Sequence, residues 1–223
     1  MNSLRRLDCN AVSIKHLCNV DKRMKKLIEM VGPITYEKHH DPYPFLIHEI
    51  IEQMLSAKVG NIIFSRLNEL CHGNITVAAI DAISDEDIKS IGTSNQKSSY
   101  IRGITNMILD GSLDFNELNE MSNAEIIKTL TSIRGIGNWT AKMYLIFVLD
   151  RQDILPIEDV AFLQSYKWLY KTDDITRSSI TNKCKKWSPY SSIASRYLYR
   201  ALDMGLTKKE FHLFKSQEDG YEQ

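Results

Sequence analysis

The sequence predicts an all-α fold, and three observations lead to this prediction. Apolar residues recur at the three-to-four-residue spacing of helices along most of the chain, and strand-like alternation is scarce. The β-branched residues fall mostly inside the same helical pattern, which favours an all-α fold over an α/β fold. With 223 residues, 43% of them hydrophobic, the chain can bury a core of its own and has the size of one large domain or two small ones.

The predicted helices follow one another with short connections. A first helical segment runs from Ile14 to Met30 and ends at Gly32-Pro33, where glycine and proline stop a helix. After the turn-rich residues 39–44, the periodicity predicts helices at Phe45–Leu55, Gly60–Leu70, Ile75–Ala82, Asp85–Ile91, Lys97–Leu109 and Asp114–Glu120. The Ser- and Thr-rich stretch Thr172–Ser192 also contains apolar residues, so we interpret it as a helix with flanking loops.

Composition limits the kinds of site that the chain can carry. Lys and Arg total 28, as do Asp and Glu, so any contact with nucleic acid needs a local basic patch. The four cysteines lie far apart without a CxxC pair, so we expect no metal site, no iron–sulfur cluster and no disulfide framework. The first residues lack the apolar run of a signal peptide, and no stretch approaches the roughly 20 apolar residues of a membrane span. We therefore expect a soluble intracellular protein.

The most informative segment is a predicted hairpin of two helices. Ser122 and Glu125 form a capping box for a helix that ends near Ile133, and a second helix is predicted at Trp139–Leu149. Between them stands Gly135-Ile136-Gly137, in which the isoleucine is expected to anchor the turn in the core. Such a turn aims free amides and a positive helix end at one place, which suits a phosphate. The spacing alone leaves open a helix–helix corner with glycines only for packing.

The stretch Leu130–Met143 resembles the hairpin of the helix-hairpin-helix DNA glycosylase superfamily, and its Gly-Ile-Gly-x-Trp-Thr-Ala form is similar to the 3-methyladenine glycosylase II branch. Further segments agree in order: His16–Pro33, Pro44–Ser56, Ile91–Lys97 and Trp187–Arg200. The resemblance implies two helical lobes with the active-site cleft between them and no N-terminal β domain. One lobe would comprise residues 1–42 and 151–223, and the other residues 43–150 with the hairpin at about 123–149.

The resemblance also implies a catalytic carboxylate. Asp153–Asp159 resembles the family segment Asp-(Val/Ile)-x-Pro-x-Asp-Asp, in which Asp159 aligns with the catalytic residue and Glu158 replaces the first aspartate of the pair. Cleavage of an N-glycosidic bond leaves positive charge on the sugar, which a fixed carboxylate stabilises. We expect Asp159 at a helix N-terminus, so the residues alone leave open that it only caps the helix.

Other site residues follow from the same resemblance. The base pocket would be lined by Trp139, Tyr190, Gln53 and Met143, where core packing for the two aromatic residues and a solvent-facing Gln53 are the alternatives. The hairpin would contact DNA phosphate through Ile133, Gly135, Ile136, Gly137 and Thr140. The wedge that replaces the extruded base would lie in the loop Gly92–Lys97, at Asn95 or Gln96, with Lys97 on the DNA backbone. Lys97, Arg102, Arg134 and Lys142 are candidate phosphate contacts.

The predicted function is a monofunctional DNA glycosylase of base excision repair. It would act on duplex DNA as a monomer away from membranes, flip out alkylated purines of the 3-methyladenine and 7-methylguanine type, and hydrolyse their glycosidic bond. Trp139 occupies the position of the lyase lysine, and indole cannot form a Schiff base. No cofactor is expected, although the resemblance implies a monovalent cation on the hairpin carbonyls. The place of action would be the bacterial cytoplasm and nucleoid or the eukaryotic nucleus.

Two other classes of protein remain as alternatives. A non-catalytic helix-hairpin-helix DNA-binding protein would use the same hairpin as a phosphate clamp, but it has no need for a carboxylate such as Asp159 close to DNA. A helical protein-interaction module would account for the amphipathic helices but would leave Gly135, Gly137 and Asp159 as coincidences. The sequence therefore favours the enzyme.

Overall fold

The computed structural model describes residues 4–214, and the predicted helical architecture is confirmed. The described chain divides into two compact units. Unit 1 contains the residues up to Lys38 and those from Arg151 onwards, and unit 2 contains His39–Asp150. Across residues 4–214, no helix combines the length and the apolar character needed to cross a membrane.

Thirteen α-helices and one small sheet form the described chain. The helices are α1 (Val12–Val20), α2 (Lys22–Val31), α3 (Pro42–Glu52), α4 (Ala57–Leu70), α5 (Val77–Ala82), α6 (Asp85–Ser90), α7 (Asn95–Leu109), α8 (Phe115–Glu120), α9 (Asn123–Ser132), α10 (Asn138–Met143), α11 (Val160–Tyr170), α12 (Arg177–Cys184) and α13 (Ser191–Asp203). Strands β1 (Arg5–Leu7) and β2 (Ile34–Tyr36) pair antiparallel, a feature that the helical periodicity did not predict. A π-helical turn at Tyr144–Val148 continues α10, and 3₁₀ turns lie at Lys185–Trp187 and Leu206–Lys208.

Unit 1 differs from the prediction at its first helical segment, which consists of two helices. The helical conformation is interrupted at Asp21, whose backbone is extended. Its side chain accepts hydrogen bonds from the amides of Arg23 and Met24. Asp21 is 3% exposed and also accepts hydrogen bonds from Tyr170 and from the indole of Trp187. The capping aspartate thus ends one helix and starts the next, because its side chain satisfies the first amides of α2.

Unit 2 follows the predicted helices to within a few residues. Helix α3 buries Leu46, Ile47 and Ile50 completely, so one strongly apolar face forms the centre of this unit. The capping box of α9 is present as predicted. Helix α7 begins at Asn95, which makes the predicted wedge loop shorter than expected, because Ser94 caps the helix through the amide of Lys97.

Candidate active site

The hairpin between α9 and α10 exposes the start of a helix. Ile136 is 5% exposed and anchors the turn in the core of unit 2 as predicted, and its amide donates to the Ile133 carbonyl at 3.0 Å. Gly137 is the N-cap of α10 and has no side chain with which to cap this helix start. Gly137 is exposed, and a Cβ built on it would meet no atom within 4 Å. The first amides of α10 therefore lie at an open, electropositive helix end, which is a seat for an anion.

Gly135 has a different role from Gly137. Its φ is +95°, and an added Cβ would lie 2.4 Å from Cγ and Cδ2 of Tyr100 on α7. The guanidinium of Arg134 lies 5.9 Å from the centre of the same ring. Tight packing therefore explains the glycine at position 135, because no other residue fits this backbone conformation beside Tyr100. It does not explain Gly137, whose missing side chain leaves room for a ligand.

Gln53 connects the end of α3 to the hairpin. Its Nε2 donates to the Gly135 carbonyl at 2.8 Å, so the alternative of a solvent-facing Gln53 is wrong. The ammonium of Lys97 donates to the carbonyls of Gln53 at 2.6 Å and of Ile51 at 2.8 Å. Burial lowers the pKa of Lys97. Lys97 thus caps the carboxyl end of α3. This structural role is additional to its predicted contact with DNA.

The other predicted residues of unit 2 divide by exposure. Ile133, Thr140 and Met143 are buried, Trp139 is half-buried at the start of α10, and Asn95 and Gln96 are exposed in the first turn of α7. Arg102 was a candidate phosphate contact, but its guanidinium donates to the carbonyls of Ile80 and Ile83 and to Asp85. These three hydrogen bonds hold the Arg102 guanidinium within unit 2, so Arg102 is not a candidate for contact with phosphate.

Met54 is a candidate that sequence reasoning missed. It is 100% exposed, stands between α3 and α4 directly after Gln53, and has a φ of +59°. A positive φ is uncommon for a residue other than glycine. Met54 combines this backbone conformation with a fully exposed apolar side chain. The available signal was an apolar residue directly beyond Gln53, which was already assigned to the site.

Asp159 stands at a helix N-terminus, as predicted. It is the N-cap of α11, is 9% exposed, and its Oδ1 accepts from the amide of Phe162 at 2.7 Å. Its own amide donates to the Pro156 carbonyl at 3.0 Å, which closes a tight turn before the helix. Asp159 therefore does cap the helix, as the alternative interpretation of this residue predicted. A carboxylate has about four acceptor positions on two oxygens, so capping leaves capacity for a second task.

A network of serines fixes the segment that leads to Asp159. Asp153 accepts hydrogen bonds from the hydroxyls of Ser188 and Ser191 and from the Ser191 amide. The hydroxyl of Ser192 accepts from the Ile154 amide at 2.9 Å and donates to the Arg151 carbonyl at 2.6 Å. The approach to the catalytic candidate is therefore tied to the first turn of α13, a contact that sequence spacing could not show.

Tyr190 is the other predicted site residue of unit 1, and Glu158 stands directly before Asp159. Tyr190 precedes α13 as its N-cap, is half-buried, and makes an edge-to-face contact with His16 at 5.4 Å between ring centres. Glu158, which replaces an aspartate of the family segment, lies 3.7 Å from the guanidinium of Arg177. The half-buried ring of Tyr190 keeps part of its surface for stacking, whereas Glu158 forms an ion pair within unit 1.

Comparisons of this chain with known proteins all identify DNA repair glycosylases as its relatives. Residues 47–189 match the family described as the HhH-GPD superfamily of base excision DNA repair proteins. The chain is 30% identical over 192 residues to DNA-3-methyladenine glycosylase 1 of Schizosaccharomyces pombe, covering 83% of this chain and 84% of that protein. It is also 30% identical over 198 residues to the alkylbase DNA glycosidase-like protein of the same yeast, covering 83% and 91%.

The crystal structure of a DNA-3-methyladenine glycosidase from Bacillus halodurans superposes with a TM-score of 0.83 at 31% identity, covering 94% of this chain and 97% of that one. The S. pombe 3-methyladenine DNA glycosylase in complex with abasic DNA superposes with a TM-score of 0.79 at 28% identity, covering 86% and 97%. The chain therefore belongs to the HhH-GPD superfamily of base excision DNA repair glycosylases, in the branch of the DNA-3-methyladenine glycosylases.

Proposed function

We propose that this chain is a monofunctional hydrolase that releases alkylated purines from duplex DNA, with Asp159 as its catalytic carboxylate. The observation that carries the proposal is the fixed position of Asp159, a nearly buried carboxylate held at the N-terminus of α11 by its bond to the Phe162 amide. The names of the yeast and Bacillus relatives support 3-methyladenine as the substrate class.

The reaction would use this carboxylate in the transition state. Alkylation at N3 or N7 makes the purine cationic, so the bond between C1′ and the base nitrogen breaks with its electron pair leaving on the base. The positive charge thereby moves from the base to the sugar, where the carboxylate of Asp159 stabilises it more strongly than it stabilises the uncharged sugar of the ground state. Water adds its oxygen to C1′ and gives up one proton. The products are the free base and an abasic site in the DNA.

DNA would be held by the hairpin. A phosphate placed at Gly137 would accept from the first amides of α10, because the N-cap glycine has no side chain that competes for them. Affinity should then fall steeply with salt, because phosphate contacts release counterions. Hairpin carbonyls such as those of Ile133 and Gly135 each accept one hydrogen bond and keep a second lone pair. This donor set suits a monovalent cation, which would supply positive charge beside the phosphate.

The remaining candidates would handle the extruded nucleotide. Trp139 and Tyr190 each offer a half-buried aromatic ring on which a cationic base can stack. Gln53 and Met143 would line the base pocket, as the family resemblance implies. We assign the wedge to Met54, because flexible apolar side chains that enter a base stack have to be exposed, and Met54 is fully exposed. Asn95 and Gln96, also exposed, remain as supporting contacts to the backbone.

The test is release of methylated purines from alkylated duplex DNA, with abasic sites revealed by alkali. Asp159→Asn is the appropriate variant, because asparagine also caps helices and should preserve the fold. We expect release to fall by at least about 10²-fold, as for other preorganised electrostatic contributions, while binding to abasic DNA is retained. Glu158→Gln, next to it in the same turn, is the matched control and should stay active.

Other outcomes separate the alternatives. An Asp159→Asn enzyme as active as the wild type would refute the mechanism. A wild type that binds DNA but releases no base from any alkylated substrate would favour the non-catalytic binder. Treatment with borohydride during turnover should trap no covalent adduct, because the lyase lysine is replaced by Trp139. A trapped adduct would show a lyase activity that this proposal excludes.

A further inference from the structure

Unit 2 holds a cluster of potential metal ligands on α3. The Nδ1 atom of His48 lies 3.6 Å from a carboxylate oxygen of Glu49 and 3.7 Å from one of Glu52. One ligand atom from each of the three residues lies within 4.8 Å of the other two. Cysteine spacing indicated no metal site in this chain, but a histidine and a glutamate four residues apart share one face of a helix. Three candidate ligands therefore converge at one point.

A neighbouring helix fixes the orientation of the histidine. The Nε2 atom of His48 is 3.0 Å from Oδ1 of Asn61 on α4, and Phe64 makes an edge-to-face contact with the same ring. When Nε2 carries the proton and donates to this oxygen, the lone pair of Nδ1 faces the two carboxylates. Metal-binding histidines typically donate their second nitrogen to such a partner.

The carboxylates are held in place and partly withdrawn from water. The side chain of Glu49 is 10% exposed and that of Glu52 is 23% exposed. The backbone of α4 packs against Glu52 at Gly60, where an added Cβ would lie 3.1 Å from its Cγ. The three candidate ligands thus lie on one helix, α3, and the packed helix α4 helps to hold two of them in place.

A cavity gives access to the cluster. Its volume is about 660 Å³, and it is lined by His48, Glu49 and Asn61 together with His39, His40 and apolar residues that include Phe64. In a tetrahedral zinc site with bonds of about 2.0–2.1 Å, the ligand atoms lie about 3.3–3.4 Å apart. The distances of 3.6 and 3.7 Å at His48 differ from this by a few tenths of an ångström, a shift that side-chain rotation can supply.

We propose that His48, Glu49 and Glu52 bind one divalent transition-metal ion of the Zn²⁺ type, with water from the cavity as the remaining ligand. Imidazole and carboxylate ligands together suit zinc, which accepts both, and a site with three protein ligands keeps one open position. The ion would bind on the face of α3 that packs against α4, near the end of α3, where Gln53 reaches the hairpin through the Gly135 carbonyl. Its expected role is to stiffen this part of unit 2.

The experiment measures binding of Zn²⁺ to the full chain after treatment with a chelator, by calorimetry at about pH 8, where protons compete little for the histidine. We expect one saturable site and an increase in the melting temperature on addition of Zn²⁺. Glu52→Gln should weaken binding at least tenfold and abolish the increase. Glu210→Gln is the matched control, because His212 and Glu210 are 3.7 Å apart as well but are both exposed and, among residues 4–214, do not belong to a cluster of three ligands.

Spectroscopy identifies the ligands, because the four cysteines could bind zinc elsewhere. Co²⁺ in the proposed site should give only weak visible bands, and the strong near-ultraviolet bands of a thiolate ligand would refute the assignment. Absence of saturable binding, or equal binding by wild type and Glu52→Gln, would also overturn the proposal. Circular dichroism confirms that Glu52→Gln is folded. Base release is measured separately and should persist in Glu52→Gln, so failure of this inference does not affect the proposed function.

Discussion

The two glycines of the hairpin allow structure and function to be tested separately. An alanine at position 135 would have a φ of +95° and a Cβ 2.4 Å from the ring of Tyr100. The strained backbone costs about 1–3 kcal/mol, and the steric overlap costs about 1–3 kcal/mol more. Reduced freedom of the unfolded chain returns up to about 1 kcal/mol. We therefore expect Gly135→Ala to lower the free energy of unfolding by about 3 kcal/mol in total.

An alanine at position 137 should behave in the opposite way. Gly137 has a φ of −99° and ψ of 177°, a conformation open to any residue, and its Cβ would meet no atom. The free energy of unfolding should stay within about 1 kcal/mol of the wild type, because the weaker helix cap is offset by the stiffer unfolded chain. The methyl group would, however, stand beside the exposed amides of α10. Loss of one hydrogen bond to a phosphate, about 1.5–3 kcal/mol, would weaken DNA binding about 10- to 100-fold.

The assay combines urea unfolding followed by circular dichroism with a binding titration on duplex DNA that contains an abasic site. For a chain of this size, 3 kcal/mol corresponds to a decrease of about 6–12 °C in the melting temperature of Gly135→Ala. The reasoning would be refuted by Gly135→Ala as stable as the wild type, which would mean that Tyr100 moves aside without cost. It would also be refuted by Gly137→Ala that binds DNA normally, because the phosphate would then contact another part of the chain.

Three further predictions concern the capping residues and the exposed methionine. Lys97→Met should lower the free energy of unfolding by about 1–2 kcal/mol, because two carbonyls at the end of α3 lose their donor. If the stability measured in a urea titration were unchanged, the structural role of Lys97 would be refuted and only its predicted contact with DNA would remain. Burial alone would raise the pKa of Asp21, but hydrogen bonds from Tyr170 and Lys186 outweigh it and lower the pKa. The wild type should therefore lose stability as the pH falls below about 3.9, the ordinary value, and Asp21→Asn should flatten this dependence of the melting temperature on pH. Met54→Ala should keep the stability within about 0.5 kcal/mol, since the side chain is exposed. Its base release should fall about tenfold if the methionine supplies about 1.4 kcal/mol toward the cost of base extrusion, and normal release would move the wedge elsewhere.

The elements that were predicted correctly are those with strong local signals. Helix α9 has a capping box, a regular apolar stripe and a glycine after its end, so each local feature indicates the same boundaries. The position of Asp159 at the start of α11 was also predictable, because a proline and an acidic residue precede a regular apolar pattern. Such features lie within one or two turns of chain and can be read without tertiary information.

The features that were missed depend on contacts between distant parts of the chain. Asp21 divides a continuous apolar pattern into two helices, and its partners Tyr170 and Trp187 lie about 150 residues later. Lys97 looked like a surface charge because nothing in the sequence places it against the carbonyls of Gln53 and Ile51. The π-helical turn after α10 likewise has no local signal in a pattern that predicts a regular helix.

The observed role of Asp159 as a helix cap is compatible with its proposed role as the catalytic carboxylate. As the cap of α11 it has one oxygen fixed by the Phe162 amide, so the direction of the carboxylate is set before any substrate arrives. Electrostatic catalysis depends on this kind of preorganisation, because a charge that is already oriented costs nothing to reorient in the transition state. Replacement by alanine would remove cap and charge together and could not separate the two roles. Asparagine keeps the capping oxygen and removes only the charge, so a stable but inactive Asp159→Asn protein is the outcome that distinguishes catalysis from capping.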